Sequence, residues 1–257
     1  MDLICDVRLS DSPFVDTIWR SHSESRAASF LSMADSHWGM VVTRHRGRST
    51  LTVRGPETKA TPSLSLEDAD LLGILFKPGA FMPGLPPQMV MDRRDLDLPQ
   101  STTRTFRLNS SAWEFPNYEN ADTFVAWLAK DGLLAFDPVV GDALGGQQPE
   151  TSVRTVQRRF LQATGLTQGA MYQIDRARDA VILLKQGVSI LDTVDQAGYF
   201  DQPHLTRSLK RLIGLTPAQI INQNRPERLS FLYKTVPADE ARIKEPGRNN
   251  VVNIPKL

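Results

Sequence analysis

The 257-residue chain has a single cysteine, Cys5, so no disulfide can close within it. A lone thiol fits a reducing compartment, and Cys5 reads as an inert small apolar residue before it reads as a redox sensor. No apolar run approaches the roughly 18 residues that a membrane-crossing helix needs. The opening stretch, MDLICDVRLSD, carries acids where a secretory leader would carry bases, so no cleaved leader is expected. Histidine is scarce as well. His22, His37 and His45 stand well apart in the first half with no His-x-His pair, which argues against a metal-dependent enzyme. Nucleophile elbows, P-loops and dinucleotide fingerprints are also missing. These absences lead us to expect a soluble, cytoplasmic, non-catalytic protein with neither metal nor organic cofactor.

What is present is an ordinary globular composition, 40% hydrophobic and 23% charged, long enough for one large domain or two average ones. The formal net charge of +1 hides an asymmetry. Residues 1–150 carry 14 Lys/Arg against 20 Asp/Glu, whereas residues 151–230 carry 11 against 6. Only the back of the chain is therefore suited to approach a polyanion.

That basic segment contains an internal repeat with an offset of 49 residues. SVRTVQRRFLQATGLTQ and DQPHLTRSLKRLIGLTP coincide in kind: Ser152 falls on Asp201, Val156 on Leu205, Arg158 on Arg207, Phe160 on Leu209, Gly165 on Gly214 and Thr167 on Thr216. Each copy opens with a side-chain oxygen able to cap a helix. Each continues with two apolar residues four apart, which lay one stripe on a core. Each stops at a glycine able to take the left-handed conformation. A repeated short capped helix with a basic free face is the signature of paired DNA-reading helices.

With Val156 and Phe160 turned inward, the first copy leaves Arg154, Gln157 and Arg158 outside. With Leu205 and Leu209 inward, the second leaves Gln202, Pro203, His204 and Arg207. Arginine can pair with two guanine acceptors and glutamine with adenine, so these residues are candidates for base contact. Ser152, Thr155, Arg159, Thr206, Lys210 and Arg211 are candidates for phosphate contact, which sets register without reading sequence. His204 could instead be simply exposed. Arg176 and Arg178 lie between the copies and are open to two readings, DNA contact or a strut paired with Asp175, Asp179 or Asp192.

These residues resemble the DNA-binding domain of the AraC/XylS family of bacterial transcription regulators. The resemblance rests on Ser189 to Pro217, with GYFDQPHLTRSLKRLIGLTP at its heart, and on QIDRARDAVILL, which is similar to the family's linker helix with Arg176, Ala180 and Leu184 in place. It covers roughly Asn120 to Asn222, under half of the chain. It implies two helix-turn-helix units, base-contacting positions on the residues named above, and double-stranded DNA as the partner. It also implies a cupin-like front domain serving a small-molecule effector or a homodimer, and RNA polymerase as a further partner if the protein activates. One departure stands out. Seven residues, GGQQPET, separate Leu144 from Ser152 where the family uses a turn of three or four. A front binding module with a nonspecific DNA anchor is the alternative that this long turn raises.

The rest of the chain falls around this segment. Gly39 to His45, Ser49 to Arg54 and Leu71 to Phe76 read as strands between Gly/Pro punctuation, which suggests a β-sandwich or barrel over residues 1–116. Trp38, Phe76, Phe81 and Trp113 read as core packing before they read as pocket walls. Asn120 is expected to cap a helix over Ala121 to Lys130, and Asp137-Pro138 to start another reaching Leu144. Thr167 is expected to cap a linker helix reaching about Gln186. Ser189 should open the second scaffold helix through a capping box with Asp192, and Thr216-Pro217 should start the last helix. The predicted class is α+β: a sandwich or cupin-like barrel over 1–116, an all-α double helix-turn-helix domain over 117–230, and a mobile tail over 231–257.

Overall fold

A computed structural model describes residues 5–23, 29–146, 151–222 and 228–229 of the chain. Its sheet-rich front holds β1 (Cys5–Leu9), β2 (Val15–His22), β3 (Ser29–Ser32), β4 (Gly39–His45), β5 (Arg48–Arg54), β6 (Thr61–Leu64), β7 (Ala69–Phe76), β8 (Ala80–Phe81), β9 (Leu96–Leu98), β10 (Thr105–Leu108) and β11 (Ser111–Glu114). Then follow α1 (Ala121–Lys130), β12 (Ala135–Phe136), α2 (Pro138–Leu144), α3 (Val153–Thr164), α4 (Gln168–Lys185), α5 (Ile190–Gln196), α6 (Gln202–Leu212), α7 (Pro217–Ile221) and β13 (Arg228–Leu229).

The main sheet is antiparallel, with strand order β1-β2-β7-β4-β5-β9. Strands β4 and β5 are joined through Arg46 and Gly47, both at positive φ (49° and 74°), the backbone that a two-residue hairpin turn with the right twist requires. Alternation sets the faces. Ile18, Met40, Val42, Leu51, Val53, Leu72 and Ile74 are all buried in one apolar cluster. On the other face Trp19 lies flat against the sheet at Gly73, where a Cβ would come within 2.0 Å of the indole. Only glycine admits that approach.

The sheet stays open: β1 and β9 are its two edges and do not pair, so the expected closed, cupin-like barrel is not what forms among the described residues. The last edge strand has only three residues, too short to carry a closing ladder. The apolar face is covered by a helix instead. Ala121, Phe124, Val125 and Leu128 of α1 are buried in the sheet's own cluster, beside Phe106 and Leu134. Trp38 and Phe76 stack at 4.1 Å within it, so these two rings are core. Asn120 does not cap α1 with its side chain; its Oδ1 accepts from the Asn117 backbone N–H at 2.7 Å.

The helical region follows its capping residues closely. Asp137 accepts from Val139 N–H, Ser152 from Thr155, Thr167 from Ala170, Ser189 from Asp192 and Asp201 from His204. At Ser189 the reciprocal arm of the box differs from expectation, because the Asp192 carboxylate takes the Ser189 hydroxyl at 2.6 Å. Thr216 and Gln219 form the complete box. A second apolar cluster joins Ile174, Ala177, Ala180, Val181 and Leu184 of α4 to Leu205, Leu209 and Leu212 of α6, and it also takes in Met33 and Ala34 from the front. Each of the larger buried side chains, Ile, Val, Leu and Met, contributes roughly 1.5–3 kcal/mol. Arg228 and Leu229, at the end of the stretch expected to be all-α, pair in parallel with Phe30 and Leu31 of β3. The expectation for 231–257 concerns residues outside the described ones, as does the middle of the long GGQQPET turn.

Candidate nucleic-acid interface

The two repeat copies fold into α3 and α6, and their inner stripes are as the spacing requires. Phe160 and Ala163 of α3 are buried, as are Leu205, Leu209 and Leu212 of α6; Val156 is only half-buried. The opposite faces are open. Arg154, Gln157 and Arg158 on α3, and Gln202, Pro203, Arg207, Lys210 and Arg211 on α6, are exposed. His204 and Thr206 are half-exposed.

Charge pairing separates these residues into two kinds. Among the described residues Arg154, Arg158, Arg207 and Arg211 have no ion pair or side-chain hydrogen bond. Other arginines are occupied. Arg159, placed among the phosphate candidates, gives its guanidinium to Asp137 through Nε–Oδ2 and Nη2–Oδ1 contacts, both of 2.8 Å. That pair ties α3 to the N-cap of α2, so the structure gives Arg159 a structural partner. Ser152 and Thr155 are joined to each other at 3.0 Å while Ser152 caps α3. Lys210 Nζ reaches the Gly214 carbonyl at 3.1 Å, closing the end of α6. The His204 ring stands edge-on to Tyr199, with centroids 5.2 Å apart.

Arg176 and Arg178 are both struts, though not with the acids expected. Arg176 lies over the Tyr199 ring at 4.1 Å and donates to the Gly198 carbonyl at 3.1 Å and to Gln173 Oε1 at 2.5 Å. It therefore props the turn between α5 and α6. Arg178 is buried and points into the front half, where Nη1 donates to Asp35 Oδ2 at 2.9 Å and to the Ala34 carbonyl at 3.0 Å. Asp35 also accepts from the His37 backbone and ring at 2.9 and 2.8 Å. Burial alone would push the Asp35 carboxyl upward, but the Arg178 charge and the His37 hydrogen bonds outweigh it and hold the group well below the ordinary carboxylate range. His37 is the reverse case: burial lowers it, and the Asp35 hydrogen bond and charge raise it further than that. Nothing in the spacing of Asp35 pointed to Arg178, 143 residues away.

Residues 148–223 match the family model of a helix-turn-helix domain. That match covers all of α3 to α7, so a helix-turn-helix domain of the DNA-binding, transcription-regulating class occupies the back of this α+β chain. No curated protein and no solved structure matches the chain. Among the described residues no helix is long and apolar enough to cross a membrane, and no group of three or more His, Cys, Asp or Glu is placed to hold a metal ion.

Proposed function

We propose that the protein is a sequence-specific DNA-binding transcription regulator of the AraC type, reading two successive major grooves with α3 and α6. The observation that carries this is the set of exposed arginines without partners, Arg154 and Arg158 on one helix and Arg207 and Arg211 on its repeat. Most other arginines of the described chain are consumed by acids or carbonyls, and four left open on equivalent faces fit a polyanion. Arg154, Gln157, Arg158, Gln202, Pro203, His204 and Arg207 are the base-facing set. Thr206 and Arg211, with the N-cap pair Ser152 and Thr155, face phosphates. The linker helix α4, 18 residues long and so about 27 Å, suits two heads one helical turn of DNA apart. The front half would serve an effector or a second copy of the chain. We place α1 with that front half, because its apolar side lies in the sheet's core.

Selection from a random duplex pool tests the reading. Wild type should enrich two short motifs about 10 base pairs apart. Arg158→Ala and Arg207→Ala should each lose preference at one motif, by about 1–3 kcal/mol per lost base contact. Unchanged selection in both variants refutes the base-reading assignment. Equal affinity of wild type for selected and scrambled duplexes would favour the nonspecific anchor instead.

A further inference from the structure

The helices α3 and α6 end alike, and the front half of the chain meets both ends. The terminating glycines, Gly165 at φ 76° and Gly214 at φ 87°, are equivalent in the 49-residue repeat. At the first end the Gln88 side-chain amide donates to the Leu161 carbonyl. A Cβ on Gly165 would lie 3.1 Å from Met91 Sδ and 3.2 Å from Pro87 Cβ. At the second end the backbone N–H groups of Ala60 and Ala34 donate to the carbonyls of Arg211 and Leu212, at 3.0 and 2.8 Å. A Cβ on Gly214 would stand 3.1 Å from Ala60 Cβ and 3.2 Å from Leu31 Cδ1. The last carbonyls of a helix lack partners within it, so the front half completes α6 with its own backbone. Between the two ends α4 is held by the Arg178–Asp35 pair and by Ser36 Oγ donating to Asp175 at 2.9 Å.

All these contacts are made at C-terminal ends or on the buried side of α4. The exposed residues Arg154, Gln157, Arg158, Gln202 and Arg207 lie in the N-terminal and middle turns of their helices and stay open. Packing on α4, through Met171 for α3 and through Ile174 to Leu184 for α6, holds each reading helix along its inner stripe, and the front half adds directional contacts at both C-terminal ends. We propose that the front half is a brace that fixes the separation and tilt of α3 and α6, and so determines which half-site spacing the protein accepts. Spacing selectivity is then written in Ala34, Asp35, Ala60 and Gln88 as much as in the linker helix. The consequence for DNA rests on the reading of α3 and α6 as DNA-reading helices; the brace itself does not.

The test uses the full chain with Cys5→Ser, Gln157→Cys and Gln202→Cys, spin-labelled at the two new thiols. Pulsed electron-spin distances should give one narrow distribution in this parent. Adding Arg178→Met should broaden it about twofold or more, as expected for an element released to hinge motion. The milder pair Ser36→Ala and Gln88→Ala should broaden it in the same direction, which keeps the test decisive if Arg178→Met does not fold. A broad parent distribution, or equal widths in the parent and the folded variants, overturns the brace. On duplexes with one base pair inserted between the selected motifs, the wild-type chain, with Gln157 and Gln202 intact, should lose about tenfold in affinity, a turn of about 34° that a rigid pair cannot follow. The variants should lose less than about threefold. Equal losses overturn the spacing claim. If no duplex is bound selectively at all, the DNA-reading assignment fails, and the label distances still decide the brace.

Discussion

Replacing Arg178 or Asp35 is the sharpest probe of how the two halves are joined. The side chains are 7% and 13% exposed, so removing one partner leaves the other charged group in a poorly solvated place. Such losses cost about 3–5 kcal/mol. The two should not be equal. Without Arg178, the Asp35 carboxylate keeps the His37 backbone N–H and ring, so Arg178→Met belongs at the low end, about 3 kcal/mol. Without Asp35, Arg178 keeps only the Ala34 carbonyl and His37 loses its partner, so Asp35→Ala belongs at the high end, about 5 kcal/mol. Because both remove the same contact, the double variant should fall short of the sum by about 1–3 kcal/mol. Urea unfolding of the full chain measures this with two probes. All four tryptophans, Trp19, Trp38, Trp113 and Trp127, lie in the front half, so fluorescence reports the sheet and its helix while far-ultraviolet circular dichroism is weighted toward the helical half. The transitions should coincide in wild type and separate in Arg178→Met. Additive costs, or an Asp35→Ala loss below about 1 kcal/mol, would refute the claim that this pair couples the halves.

Further expectations concern pH, the helix ends and the charged faces. His37 is raised in the folded state, so its contribution is complete below about pH 6.5 and is lost as pH rises through the higher folded value. Asp35 is lowered, so its contribution is present above about pH 4 and is lost as pH falls through the depressed value. Melting temperature should thus be highest between these limits, and His37→Gln should flatten the alkaline decline; an unchanged decline would count against it. Gly214→Ala should cost about 1–2 kcal/mol more than Gly198→Ala by denaturant midpoint, because both sit at positive φ but only Gly214 faces a neighbour, at Ala60. Equal costs would contradict the close approach. Arg159→Met should lower stability by about 0.5–1 kcal/mol, its side chain being 38% exposed, and leave the salt dependence of DNA binding unchanged. Arg211→Met should do the opposite, reducing the slope of log affinity on log salt by about 1.

Much of the helical half was legible from the residues alone, because its determinants are local. Helix starts depend on an oxygen a few atoms from the N–H groups it satisfies, and Asp137, Ser152, Thr167, Ser189 and Thr216 all cap as their positions suggest. The inner stripes at Phe160 and Leu205/Leu209 follow from 3.6 residues per turn. Local rules failed where an alternative partner was equally near. Asn120 turned to the Asn117 backbone instead of capping α1, and the Asp192 carboxylate took a hydroxyl where a backbone N–H was expected.

The sheet was harder to read. Strands β4, β5 and β7 were visible in alternation and in the Gly/Pro breaks around them, but alternation says nothing about whether edges meet. Whether β1 and β9 close a barrel depends on strand length, stagger and what covers the apolar face, and here α1 covers it.

By itself the sequence determined the repeat, its caps, its glycine ends and the basic faces of α3 and α6, since each depends on neighbours within about one turn. Only the tertiary structure decided which cations remain open to a partner. Arg159 went to Asp137, Arg176 to Tyr199 and Gly198, and Arg178 to Asp35, while Arg154, Arg158, Arg207 and Arg211 were left on the outer faces. An arginine reaches far enough to choose among carboxylates, carbonyls and rings brought near by folding, and that choice is invisible until distant segments such as Ala34–Asp35 are placed beside the linker helix.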